Sequence, residues 1–137
     1  MDRWCAHLAA RGGHVPVLEW MLRQGHWVLW LAGTCTSAAV GGQLETLKWA
    51  RANYCPWDEE TCAAAARYGH LAVLRWVRRH GCPWDATTTA AAASGGHLRV
   101  LKWARAHNCP WDSTTRHAAR DAGHAEVLRW ALANGCP

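Results

Sequence analysis

The chain has 137 residues, half of them hydrophobic, with 15 Lys and Arg against 10 Asp and Glu, nine histidines and seven cysteines. That length holds one domain or one stack of small units, and the surplus of positive charge suits acidic partners. The longest unbroken apolar run, Trp27 to Ala32, is too short to cross a bilayer, and no charged-then-apolar leader opens the chain, so a soluble protein that stays where it is made is expected. An odd cysteine count spread along the whole chain disfavours a secreted disulfide scaffold and fits reduced thiols in an intracellular, cytoplasmic setting.

A repeat organises the rest. The tetrad Cys-Pro-Trp-Asp stands at Cys55–Asp58, Cys82–Asp85 and Cys109–Asp112, each 27 residues after the last, and the chain closes on Cys136-Pro137. Taken in chain order, residues 1–137 divide into five units. The first spans 2–25, from Asp2 through Gly13 to Gly25, and its loop to Trp30 carries two extra residues. The others span 32–54, 58–81, 85–108 and 112–135, with Trp49, Trp76, Trp103 and Trp130 keeping the same step. The abrupt start and end favour a piece of a longer array.

Within a unit the helix signals repeat. Asp58, Asp85 and Asp112 are good N-caps for a first helix, and their carboxylates also suit its positive end. The third unit's first helix runs through Thr61 and Ala63 to Ala66 and stops at Gly69. A second helix follows with apolar Leu71, Leu74 and Val77, and Gly81 ends it. Pro83 cannot continue that helix, so Cys-Pro-Trp forms a tight link. No strand is required. One such helix pair cannot cover its own Trp and Leu side chains, so neighbouring pairs must stack. Alanines on all sides of the first helix suit an element sandwiched between neighbours.

The segments Ala65-Ala66-x-x-Gly69-His70-Leu71-x-Val73-Leu74 and Ala92-Ala93-x-x-Gly96-His97-Leu98-x-Val100-Leu101 resemble the ankyrin core pattern, and similar stretches recur in all five units. They are most similar to a short variant with Cys-Pro-Trp-Asp loops, found in arrays of large DNA viruses, algae and oomycetes. The resemblance implies an all-α solenoid of about five stacked helix-loop-helix repeats, cytoplasmic, in host cytoplasm if the chain is viral, that binds a protein and catalyses nothing. Ankyrin units run 33 residues and open with Thr-Pro-Leu-His, whereas the matching segment here is Thr61-Cys62-Ala63-Ala64 and the loop is about six residues shorter. The projecting hairpin fingers are therefore expected to be missing.

Other chemistry is weighed against this. The histidine column His14, His70, His97 and His124 is interrupted by Gln43, a poor zinc ligand, so a role at the turn between helices is preferred to metal. His80-x-Cys82 and His107-x-Cys109 fall on units roughly 8–10 Å apart, too far to share one tetrahedral ion; Cys35 and Cys62 fill small spaces. No cofactor or small-molecule substrate is expected. Ser113, His117 and Asp121 share one face of a predicted helix, but nothing beside them promises an oxyanion hole. The tryptophan columns are read as core, each indole N–H needing a buried acceptor.

Lys48, Arg75, Lys102 and Arg129, with Arg51, Arg78 and Arg105 nearly a turn on, form a basic stripe on the second helices. It offers the alternative function, nucleic-acid or polyanion binding. A solvated outer face is preferred, so nucleic acid is disfavoured as a partner.

Positions that vary between copies are candidates for recognition: Glu59, Glu60, Ala86, Thr87, Ser113 and Thr114 after the capping Asp, and Arg67, Tyr68, Ser94 and Asp121 before the closing Gly. The resemblance implies that such columns face a concave, partner-binding groove. At the ends of the second helices Gly81, Asn108 and Gly135 tolerate a left-handed residue. Tyr54 in that column does not, which predicts either strain at Tyr54 or a helix end moved back to Asn53.

Overall fold

A computed structural model describes residues 3–25 and 33–137. Asp2, Trp30 and the extra residues of the first unit's loop lie outside them. Among the described residues the regular structure is all α-helix. Five first helices, α1 (Arg3–Arg11), α3 (Thr34–Val40), α5 (Glu59–Arg67), α7 (Ala86–Ser94) and α9 (Ser113–Asp121), alternate with five second helices. The second helices are α2 (Val15–Arg23), α4 (Leu44–Ala52), α6 (Leu71–Arg79), α8 (Leu98–Ala106) and α10 (Ala125–Ala133). Each first helix packs on the first helix of the next pair, and each second helix on the first helix of its own pair.

The helix starts are those the sequence signals. Asp58, Asp85 and Asp112 take extended backbone and accept the N–H of Glu60, Thr87 and Thr114 at 3.0, 2.9 and 2.9 Å. Each thus satisfies one of the orphan donors of a first helix. The first helices then supply the small-residue centre of the core. Ala65, Ala66, Ala92 and Ala93 are fully buried, and Leu47, Leu74 and Leu101 of the second helices close over them. With methyl groups at the contact the first helices approach closely, which is why this row, and not the second helices, carries the packing between units.

Two devices lock one pair to the next at the end of the first helix, where the last carbonyl lies against the following unit. His70 and His124 hold Val40 O and Ser94 O through Nε2, each at 3.1 Å. At Gly41 and Gly95 the backbone itself comes close: a Cβ there would stand 2.0 Å from Arg11 O and 2.1 Å from Arg67 O. The histidine column thus works at the turn between helices and across the unit boundary. The links are closed by thiols: Cys82, Cys109 and Cys136 donate to Asp58 O, Asp85 O and Asp112 O at 3.4, 3.4 and 3.5 Å. Each unit's last cysteine is therefore tied to the carbonyl of its own capping aspartate.

At the ends of the second helices Tyr54 takes the first of the two expected outcomes. It adopts the left-handed turn at φ +66°, in register with Gly81 at +85°, Asn108 at +67° and Gly135 at +84°. A bulky residue is an outlier there. It is held by the same Schellman-type bonds as its counterparts, Tyr54 N–H to Arg51 O and Cys55 N–H to Ala50 O, and its ring is 89% exposed.

The tryptophan expectation needs correction. Trp57, Trp76, Trp84, Trp103, Trp111 and Trp130 pack against the core from outside and are only half-buried. Their indole N–H groups make no hydrogen bond among the described residues. A half-buried indole keeps its polar edge in water and needs no buried acceptor. The rings instead meet each other: Trp57–Trp76, Trp84–Trp103 and Trp111–Trp130 stand 6.0, 5.8 and 5.9 Å apart at steep angles.

Candidate functional site

Two surfaces gather side chains that the repeat leaves free. The first lies over the first helices. Glu60, Arg67, Tyr68 and Thr87 surround a depression of about 400 Å3 whose remaining walls are Thr36, Val40, Ala63 and Ala64. Its position follows from the helices: Glu60 is in the first turn of α5, Arg67 ends that helix, Tyr68 is its C-cap, and Thr87 opens the next first helix. The floor is alanine because the stack demands it, and the rim is polar because nothing packs there. Tyr68 is 48% exposed, with acid and base within the same rim.

Four of the ten candidate positions are thus brought together, and six are not. Glu59, Ala86 and Ser113 are the first residues of α5, α7 and α9 and do not line this depression. Thr114 is committed to its cap: its hydroxyl and N–H both bond Asp112 and hold that carboxyl below its usual range. Thr87 makes the same pair of bonds to Asp85, so its hydroxyl is partly spent on structure although it lines the rim. Ser94 presents its carbonyl to His124, and Asp121 pairs with Arg120 at 3.5 Å. Among the described residues no hydrogen bond joins Ser113, His117 and Asp121.

The second surface lies over the second helices, and here the basic stripe splits in two. Arg51, Arg78 and Arg105 reach back to Cys55 O, Cys82 O and Cys109 O at 2.6, 2.7 and 2.6 Å. Their guanidinium carbons sit 4.1, 4.2 and 4.3 Å from the ring centroids of Trp57, Trp84 and Trp111. These three arginines brace the Cys-Pro-Trp links and are not a free phosphate track. One repeated feature carried the signal: each such arginine keeps a fixed step to the tryptophan it covers. What remains of the stripe is Lys48, paired with Glu45 at 3.3 Å, and exposed Arg75, Lys102 and Arg129.

Arg75 and Arg79 stand beside two hollows. One, of about 220 Å3, is walled by Leu44, Ala72 and Trp76; the other, of about 350 Å3, is walled by Arg78, Trp84, Trp103 and His107. His107 stacks on Trp103 with centroids 4.3 Å apart and bonds Trp103 O through Nδ1 at 2.8 Å. His80 does the same over Trp76.

The thiol hydrogen bond between Cys35 and Cys55 holds Cys55 below the ordinary thiol range. Burial pushes the Cys109 thiol up to about 12. A thiol hydrogen bond with Cys55, then burial, pushes Cys35 well above the ordinary range, and Cys62 and burial do the same to Cys82. Such thiols are inert packing groups and weak donors. No three His, Cys, Asp or Glu side chains converge among the described residues, and no described helix is long and apolar enough to cross a membrane. No family model and no curated protein matches this chain.

Proposed function

We propose that this chain is a protein-interaction module: an ankyrin-like α-solenoid of five helix pairs, without hairpin fingers, that grips a partner protein on its first-helix face. The depression over α5 carries the proposal. It places an exposed tyrosine, an acid and a base around a floor of alanine and valine. Aromatic and arginine anchors around a small apolar floor are what a binding hot spot uses, and the mixed charge of the rim favours a protein surface over a uniform polyanion. The row of closely packed first helices holds those side chains at fixed spacing, so little order has to be created on binding.

The test is affinity capture from lysate with the wild-type chain and with Arg67→Ala/Tyr68→Ala, both first shown to be folded by circular dichroism. The proposal expects proteins retained by the wild type to be lost from the double variant. Retention of the same proteins by both overturns it. Loss instead in a Lys102→Glu/Arg129→Glu variant, with steep dependence on salt, would move the function to the remaining basic residues of the second helices.

A further inference from the structure

The hollow between α6 and α8 has a chemistry that the protein-interaction proposal does not use. Its six lining side chains, Arg75, Arg78, Arg79, Trp84, Trp103 and His107, all contain nitrogen, and none carries a carboxylate. Arg75 and Arg79 are exposed and have no hydrogen-bond or ion-pair partner among the described residues. Arg78 is fixed by Cys82 O and the Trp84 ring, so one guanidinium is already in place. Neither α6 nor α8 contains an acidic residue.

Two features show that this is one local site and not a stretch of the general stripe. The position of Arg79 is alanine in the three other units of the 27-residue register, at Ala52, Ala106 and Ala133, and carries a cation elsewhere only at Arg23 of the offset first unit. Three residues before Arg75 the register holds Ala72, where the second unit has Glu45 and the fifth has Glu126. Glu45 pairs with Lys48, whereas no acid pairs with Arg75 among the described residues. The third unit has therefore both added a cation and lost an acid at the same face.

The negative end of α6 would oppose an anion nearby, but three of its last four carbonyls are occupied. Trp76 O accepts from the His80 ring, Val77 O from Cys82 N–H, and Arg78 O from Gly81 N–H. The hollow's 350 Å3 equals about twelve water molecules at about 30 Å3 each, more than one small anion fills. One face of each indole is already taken, since Arg78 covers Trp84 and His107 covers Trp103. The ligand is thus defined first by its oxygens.

We propose that the Arg75–Arg78–Arg79 hollow is a binding site for a compact anion of the polyphosphate class, held by forked guanidinium contacts to its oxygens. The phosphates come either from free polyphosphate or from the 5′ end of a nucleotide. The site is independent of the first-helix face, so either proposal stands if the other fails.

Titration with tripolyphosphate, followed by calorimetry and by tryptophan fluorescence, tests it, with ATP and a short single-stranded oligonucleotide lacking a terminal phosphate as further arms. Wild type is expected to show one saturable site for tripolyphosphate. Arg79→Ala is expected to weaken it by at least about tenfold, from lost charge-assisted bonds. Arg75→Ala/Arg79→Ala abolishes it with the helical spectrum unchanged, while Lys102→Ala/Arg129→Ala leaves it within about twofold, since exposed charges a repeat away are screened. Equal binding of ATP assigns recognition to the phosphates alone. Absence of saturable binding, equal weakening by the two double variants, binding of ATP but not tripolyphosphate, or tighter binding of the oligonucleotide each overturns the proposal.

Discussion

Gly95→Ala separates backbone conformation from packing between units. Gly95 sits at φ −82°, ψ −7°, a conformation any residue adopts, and Ala122 occupies the same column at φ −86°, ψ −3°. On conformational grounds alone alanine at 95 should stabilise, by about 0.4–1 kcal/mol, because it reduces the freedom of the unfolded chain. The structure reverses that sign. The new Cβ would stand 2.1 Å from Arg67 O, more than 1 Å inside an ordinary contact of 3.4–4 Å, and 2.6 Å from the His97 ring. The ring can turn, but the carbonyl is part of α5 and moves only if the α5–α7 contact opens. Overpacking of that kind costs about 1–3 kcal/mol. The net expectation is a loss of about 1–2 kcal/mol, or about 3–7 °C in Tm for a chain of this size. Urea and thermal unfolding followed by circular dichroism read it directly. Ala122→Gly is the matched control, expected to cost only about 0.5–1 kcal/mol through glycine entropy. A Gly95→Ala protein as stable as wild type, or more so, would refute the close approach of α5 and α7 on which the stacking rests.

Thr88 Oγ1 is buried without a hydrogen-bond partner, while Thr61 and Thr115, in the same column, bond Thr36 and Thr89 at 3.2 Å. Thr88→Val should stabilise by about 1 kcal/mol and Thr115→Val should cost a similar amount, measured by urea midpoint; like signs for the two would contradict the assignment. The Cys109 thiol, pushed up to about 12 by burial, keeps its proton in the folded chain while the unfolded chain loses it near about 8.5. Its contribution is complete below about pH 8.5 and is withdrawn between there and about 12, by about 1.4 kcal/mol per pH unit. Unfolding at pH 8 and pH 10 checks this, with Cys109→Ala expected to flatten the fall; an identical fall in the variant would rule it out.

The parts of the fold that were legible in the sequence were those set by local backbone chemistry. A carboxylate before an alanine run can do little but cap it, and a glycine or asparagine at a fixed step after a Leu-x-x-Leu-x-Trp segment can do little but end it. Asp58, Gly69, Asn108 and even the reluctant Tyr54 therefore appear where the 27-residue spacing puts them. The tryptophans were less legible because repetition reports that a position is constrained, not by what. The same regularity that suggested a core indole is produced by an indole on the rim clamped by an arginine. The depression at Glu60, Arg67, Tyr68 and Thr87 was legible only as a list of varying positions. Variation marked ten residues, but only the packing of three successive first helices decides which four share a rim.

Arg78 and Arg79 make the distinction concrete. They are neighbours, chemically identical, at the end of one helix, and charge counting treats them alike. Arg78 repeats at 51 and 105, and in all three places its guanidinium is fixed by a link carbonyl and an indole face. Arg79 recurs only as Arg23 of the first unit, with alanine at 52, 106 and 133, and its guanidinium has no partner among the described residues. In a protein built from copies, a side chain kept in every copy is accounted for by the packing that every copy shares. A charged side chain that most copies lack, unpaired among the described residues and beside a cavity, has no such account. Its desolvation and loss of side-chain entropy on binding can be offset only by a ligand. Arg78 thus serves the scaffold and lends the hollow a fixed charge, whereas Arg79 serves the hollow alone, and Arg79→Ala, which gives this position the residue of the second, fourth and fifth units, weakens the site while leaving the scaffold as the repeat defines it.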